Sequence, residues 1–125
     1  GIGGLDDILH GVSSGYDTFD CVSPTRIARH GIMMSKLSSK GINLNNSKFK
    51  DDHSSIDEGC ELQEINKFSK SYIHHLFKAN EMLGMTILSI YNIWFMNKFF
   101  EEIRLSINED RFEEYKNKIL SNLVE

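Results

Sequence analysis

Between Thr25 and Lys50 the sequence contains no aspartate or glutamate, while Arg26, Arg29, Lys36, Lys40, Lys48 and Lys50 all fall inside that span. The span carries +6 against -10 for everything else, within a net charge of -4. Overall charge therefore gives no reason to expect a polyanionic partner, but this one stretch does. Cysteine is equally scarce, with only Cys21 and Cys60. Two cysteines without scaffold spacing, and no secretory leader, exclude a disulfide-stapled fold and favour a reducing, cytoplasmic setting. Long apolar runs are missing as well. The longest, around Met82 to Met96, is broken by Ser, Thr and Asn and falls short of the roughly 18 residues a membrane span requires, so no membrane partner is expected. There is no internal repeat and no low-complexity tract. At 125 residues and 40% hydrophobic, the chain can bury one core and suggests a single domain or part of one.

The chain changes character near Ser55. Before it, glycine, serine and asparagine punctuate short apolar runs; after it there is no proline, and only Gly59 and Gly84 interrupt long stretches of helical spacing. Leu5, Ile8, Leu9 and Val12 repeat at helical intervals, with Gly15 as a stop. Thr18 to Val22 reads as a compact buried strand ended by the only proline, Pro24. Arg26 to about Ser54 reads as loop, with a small hairpin through Gly31 to Leu44. Ile65, Phe68, Tyr72, Ile73 and Leu76 form one helical stripe, and Leu83, Ile87, Tyr91, Trp94, Phe95, Phe99, Ile103 and Ile107 form a longer one. A last helix is predicted from Asp110, with Glu113 three residues on as a capping box, through Phe112, Tyr115, Ile119 and Leu123.

The stretch FDCVSPTRIARHG, Phe19 to Gly31, concentrates the chemistry. A carboxylate in a buried strand costs several kcal/mol, on the order of what burial of any unpaired charge costs, unless it is paired, hydrogen-bonded or used. Asp20 is thus either a structural group, capping a turn or paired with Arg26, or a nucleophile or general base at a strand end. Arg26 and Arg29 offer forked, permanent cations suited to phosphate oxygens; their plain alternative is a solvated loop or a brace for Asp20. His30 reads as a loop residue, and Met33 and Met34 as hairpin packing. The aromatic cluster Tyr91, Trp94, Phe95, Phe99 and Phe100 reads as core packing. Lys40, Lys48 and Lys50 extend the basic surface or are simply solvated.

Four segments in order, GYDTFDCVSPTRIARHG, GINLNNSKFKDDHSSIDEGC, SYIHHLFKANEMLG and INEDRFEEY, resemble the C-terminal part of the tRNA-guanine transglycosylase (queuine tRNA-ribosyltransferase) family, across essentially the whole chain. The resemblance implies an α/β fold: the C-terminal fragment of a (β/α)8 TIM-type barrel. Residues 1-24 would be its last helix and strand, 25-60 a basic loop and small loop/hairpin subdomain, and 61-125 long terminal helices. It implies exchange of guanine at the wobble position of tRNA with a GUN anticodon for queuine or its precursor, in a homodimer. Asp20 occupies the nucleophile's position. Thr25, Arg26, Ile27, Ala28 and Arg29 match one tRNA-contacting segment, and Gly1, Ile2, Gly3, Gly4, Leu5, Asp6 and Asp7 match another.

This sequence departs from the family pattern in two places. The family's four zinc ligands fall at Cys60, Leu62, Ile65 and Tyr91, of which only Cys60 can bind metal, so no cofactor is expected and apolar packing is expected instead. A substitute set from Cys60 with His53, His74 or His75 is the alternative. The chain is also far shorter than the roughly 250 residues of a complete barrel, and the family's general acid/base aspartate and base-recognition residues have no counterpart here. The chain alone is therefore expected to be inactive, and a non-catalytic tRNA-docking or dimer-supporting module is the competing reading.

Overall fold

In the computed structural model, residues 1-123 are described. They run α1 (Leu5–Ser13), α2 (Ser23–Ala28), β1 (Ile32–Ser35), β2 (Ser38–Asn43), a 3-10 turn (Ser47–Phe49), α3 (Gln63–Asn66), α4 (Lys70–Lys78), α5 (Met82–Asn108) and α6 (Phe112–Asn122). The sheet among the described residues is one antiparallel hairpin, with Ile32 opposite Asn43 and Met33 opposite Ile42.

The amphipathic helix predicted from Leu5 to Val12 is α1. It buries Leu5, Ile8 and Leu9 and places Asp6 and Asp7 in its first turn, against the partial positive charge of its free N–H groups. Gly15 stops it in the left-handed region at φ 95. There the N–H of Gly15 bonds the carbonyl of Val12, and that of Tyr16 the carbonyl of Gly11, the paired closure of a Schellman motif.

Four sequence expectations need correction. Thr18 to Val22 forms no strand: among the described residues no backbone N–H from Asp17 to Val22 has a backbone partner, and a strand is defined by that pairing. The segment beginning at Arg26 is not loop throughout. Ser23–Ala28 is helical, with proline in the first turn, where its missing N–H costs nothing. The stripe from Ile65 to Leu76 is not one helix. The N–H groups of Lys70 and Ser71 bond the carbonyls of Ser54 and Asp52, and Ser55 bridges Ser69, so the backbone leaves the helix after the Lys67 cap of α3; α4 then restarts with Ser69 Oγ accepting the N–H of Tyr72. Nor does Asp110 cap α6. It sits at φ 53 and closes α5 instead, its N–H bonding Ile107 while the N–H of Arg111 bonds Ser106.

The long stripe is continuous in α5, whose 27 residues span about 40 Å at 1.5 Å per residue. Ile87, Leu88, Tyr91, Phe95, Phe99 and Ile103 are buried along it, and α2, α3, α4, α6 and β1 rest against it. Met33 and Met34 are buried under the hairpin, and the aromatic cluster packs as core. Lys36 joins the hairpin to Glu102 of α5 at 2.6 Å, and Tyr115 of α6 donates to the same carboxylate at 2.7 Å. Among the described residues no helix is long and apolar enough to cross a membrane.

Candidate functional site

Two stretches distant in sequence lie side by side. The amino group of Gly1 donates to the carbonyl of Asp20 at 2.7 Å, and Gly3 lies so close to Cys21 that any Cβ there would strike the cysteine side chain. Phe19 is the anchor. Its ring fills the space that a side chain at Gly11 of α1 would need, and it packs on Phe100 of α5 with ring centres 5.8 Å apart. Phe19 is half-buried there, while Asp20 beside it is exposed.

The result is an open cleft of about 500 Å³ lined by Gly1 to Gly4, Asp7, Asp20 to Ser23 and Arg26. Asp20 is exposed and joins no ion pair among the described residues. The structure thus brings Asp20 together with Arg26 and with the glycine-rich segment. It also sorts the matched positions by what each can offer. Arg26 on α2 and Arg29 at its C-cap are three residues apart, the spacing of neighbours on one helix face, and both are exposed. Ile27 packs on the core, and Ala28, Leu5 and Gly3 are buried, so these position the backbone rather than reach outward. Asp6, Asp7 and Ile2 are exposed, Gly4 is half-buried, and the Thr25 hydroxyl donates to the Val22 carbonyl.

Of the other basic residues, Lys36 is spent on Glu102 and Lys48 lies over the Phe49 ring, while Lys40 and Lys50 are exposed. His30 is exposed just beyond α2.

Asn92 was not singled out in the sequence. It is wholly buried in α5, and its amide oxygen accepts the Met34 N–H at 2.8 Å while its nitrogen donates to the carbonyls of Pro24 at 2.9 Å and Ile32 at 3.0 Å. One side chain therefore fixes the start of the arginine-bearing helix and the hairpin to the same turn of α5. The available signal was an asparagine amid the apolar stripe, immediately after Tyr91.

Around position 60 the packing is apolar. Cys60, Ile65 and Tyr91 are buried, with Leu62 partly so. Burial pushes the Cys60 thiol up, with Asp57 and Glu61 adding to the shift. The histidines named as substitutes are dispersed in role. His74 Nδ1 bonds the Leu44 carbonyl at 2.7 Å, His53 Nδ1 lies 3.2 Å from Ser71 Oγ, and His75 is exposed. Among the described residues, no three His, Cys, Asp or Glu side chains converge on a metal position. A larger concavity, about 820 Å³, lies between the hairpin, residues 54-61 and α5; it includes none of the residues of the Asp20 cleft.

The family model described as queuine tRNA-ribosyltransferase matches residues 1-125. A queuine tRNA-ribosyltransferase of Clostridium acetobutylicum is 48% identical over 120 residues, 96% of this chain and 31% of the relative. One of Dictyoglomus turgidum is 42% identical over 124 residues, 99% of this chain and 31% of the relative. One of Clostridium tetani is 46% identical over 122 residues, 98% of this chain and 32% of the relative. The chain spans about a third of the length of these curated relatives.

Proposed function

The chain belongs to the queuine tRNA-ribosyltransferase family, and from that premise we propose that it supplies the nucleophile and an RNA grip to a tRNA-guanine transglycosylase. In this reading the chain is the C-terminal part of a (β/α)8 barrel, and the Asp20 cleft lies at the barrel mouth. The observation that carries it is the position of Asp20, an outward-facing carboxylate without an ion partner among the described residues, in one cleft with Arg26.

The chemistry follows from the carboxylate. A guanosine in tRNA presents its anomeric carbon to Asp20 once the nucleotide is turned out of its stack. As the bond from that carbon to guanine breaks, oxocarbenium character develops, and the carboxylate stabilises it and closes a glycosyl ester. Guanine leaves with a proton supplied by an acid from elsewhere in the complete protein. A second base then attacks the same carbon and expels Asp20. Two inversions retain configuration, and one N-glycosidic bond replaces another, so no energy-supplying cosubstrate is needed. Arg26 and Arg29 would hold flanking phosphates, and the tRNA would carry a GUN anticodon.

The test is incorporation of labelled guanine into unmodified tRNA by the complete protein. Asp20→Asn is expected to lower the rate by at least about 10³-fold while tRNA affinity persists. Arg26→Ala is expected to weaken tRNA binding and to reduce its salt dependence by about one counterion. Undiminished exchange in Asp20→Asn would remove this carboxylate from the chemistry and leave a docking or dimer-supporting role.

A further inference from the structure

The family resemblance puts four zinc ligands at positions 60, 62, 65 and 91, and the residues at those positions here do not fit such a site. Leu62 and Ile65 have no donor atom to offer. Tyr91 is buried, and its single hydroxyl hydrogen is already given to Asp57 Oδ2, 2.9 Å away. Only Cys60 could ligate, and no histidine joins it.

The work of a structural metal would be to fasten a short loop to α5. We propose that a metal-free clasp built on Asp57 and Tyr91 does that work, joining residues 54-66 to α5 by hydrogen bonds and packing alone.

The hydrogen bonds converge on Asp57. Its Oδ2 accepts the Tyr91 hydroxyl across 34 residues of sequence, its Oδ1 accepts the Gly59 N–H at 2.9 Å, and its carbonyl accepts the Cys60 N–H at 3.0 Å. Asn66 closes the ring, its Oδ1 taking the Asp57 N–H and its Nδ2 giving to the Cys60 carbonyl, each at 3.4 Å. Loop, α3 and α5 are thus linked through one residue, whose carboxylate holds Tyr91 of α5 and the Gly59 N–H while its own N–H holds Asn66 of α3. A carboxylate has two oxygens that can each accept a hydrogen bond, which lets one side chain hold the Tyr91 hydroxyl and the loop's own N–H together. Beneath the polar ring lies an apolar floor. Ile56, Cys60, Ile65 and the Tyr91 ring are all buried, with Leu62 against them, so two of the positions that would carry ligands carry hydrocarbon that fills the same space. A leucine and an isoleucine would be idle in a metal site; here they are the packing.

This inference is independent of the role of Asp20, because metal content, heat stability and thiol access read it without a catalytic assay. The complete protein, purified after growth with added zinc, is expected to hold no stoichiometric zinc and to melt at the same temperature with and without a strong chelator. Tyr91→Phe keeps the ring and removes the hydroxyl. It is expected to lower Tm by about 1–4 °C and, in a Cys21→Ser background, to speed modification of Cys60 by a thiol reagent several-fold. Stoichiometric zinc whose removal lowers Tm would overturn the proposal, as would a Tyr91→Phe variant with unchanged Tm and unchanged Cys60 labelling.

Discussion

Asn92 makes three bonds from a position with no access to water, and all three partners are backbone groups that cannot be rotated away. Replacing it with leucine, close in volume, would leave the buried Met34 N–H without a partner and take a donor from the half-buried Pro24 and Ile32 carbonyls, at a cost of about 1–3 kcal/mol for a stranded buried group. The expected outcome is a fall in the urea unfolding midpoint equivalent to at least about 2 kcal/mol. Asn92→Asp should be no better, because its second oxygen would face the Pro24 and Ile32 carbonyls where a donor now stands. A midpoint unchanged in both variants would contradict this role. Phe19 acts comparably on the cleft, since its ring packs between α1 and α5 and anchors the segment that carries Asp20. Neither role could be read from the sequence. The chemistry of Asp20, Arg26 and Arg29 was visible because a carboxylate followed by forked cations is unusual in its own neighbourhood. Asn92 and Phe19 act through partners some 60 to 80 residues distant.

At the scale of elements, the helices that emerge clearly are those whose signal is local. α1, α5 and α6 follow the spacing of their apolar residues, because each buries one stripe against neighbours. The failures also have local explanations. The Thr18 to Val22 segment has strand composition, but strand pairing depends on another segment that no composition names. α2 is six residues long, too short for periodicity to declare. The stripe from Ile65 to Leu76 looks continuous because its side chains do share a side, while the backbone between them is diverted to residues 52-55. Helix ends were the least legible, and two of them share one solution. α4 and α5 each close on a non-glycine residue in the left-handed region, Asn80 at φ 55 and Asp110 at φ 53, with the next N–H reaching back to Leu76 and Ser106. Such positions carry a steric cost that glycine lacks. Asn80→Gly and Asp110→Gly are each expected to raise stability by a few tenths of a kcal/mol up to about 1 kcal/mol, read as a higher Tm. A loss in both would show that the side chains contribute more than the turn geometry demands.

Across the whole molecule, two tyrosines tie other parts of the chain to α5: Tyr91 bonds the 54-66 segment through Asp57, and Tyr115 bonds Glu102 from α6. Burial, followed by the nearby carboxylates, holds both phenols well above the ordinary tyrosine value of 10.0. A group whose folded-state pKa is raised contributes its stability in full below the unfolded value and loses it as pH rises beyond that value. Stability is therefore expected to be flat with respect to these groups at neutral pH and to fall steeply above pH 10.0, as measured by urea midpoints across the alkaline range. Tyr91→Phe together with Tyr115→Phe should lower the neutral value and flatten the alkaline decline. An alkaline slope unaltered in the double variant would assign it to other groups.

α5 touches α2, α3, α4, α6 and β1, so its central amides meet solvent only when that packing comes apart. The amides from Asp17 to Val22 have no backbone partner among the described residues and need no such event. In deuterium exchange the two would sit at opposite ends of the rate scale. The carboxylate proposed as the nucleophile thus rides on a stretch whose amides lack backbone partners, in a chain otherwise organised around α5, and can shift without disturbing the scaffold beneath.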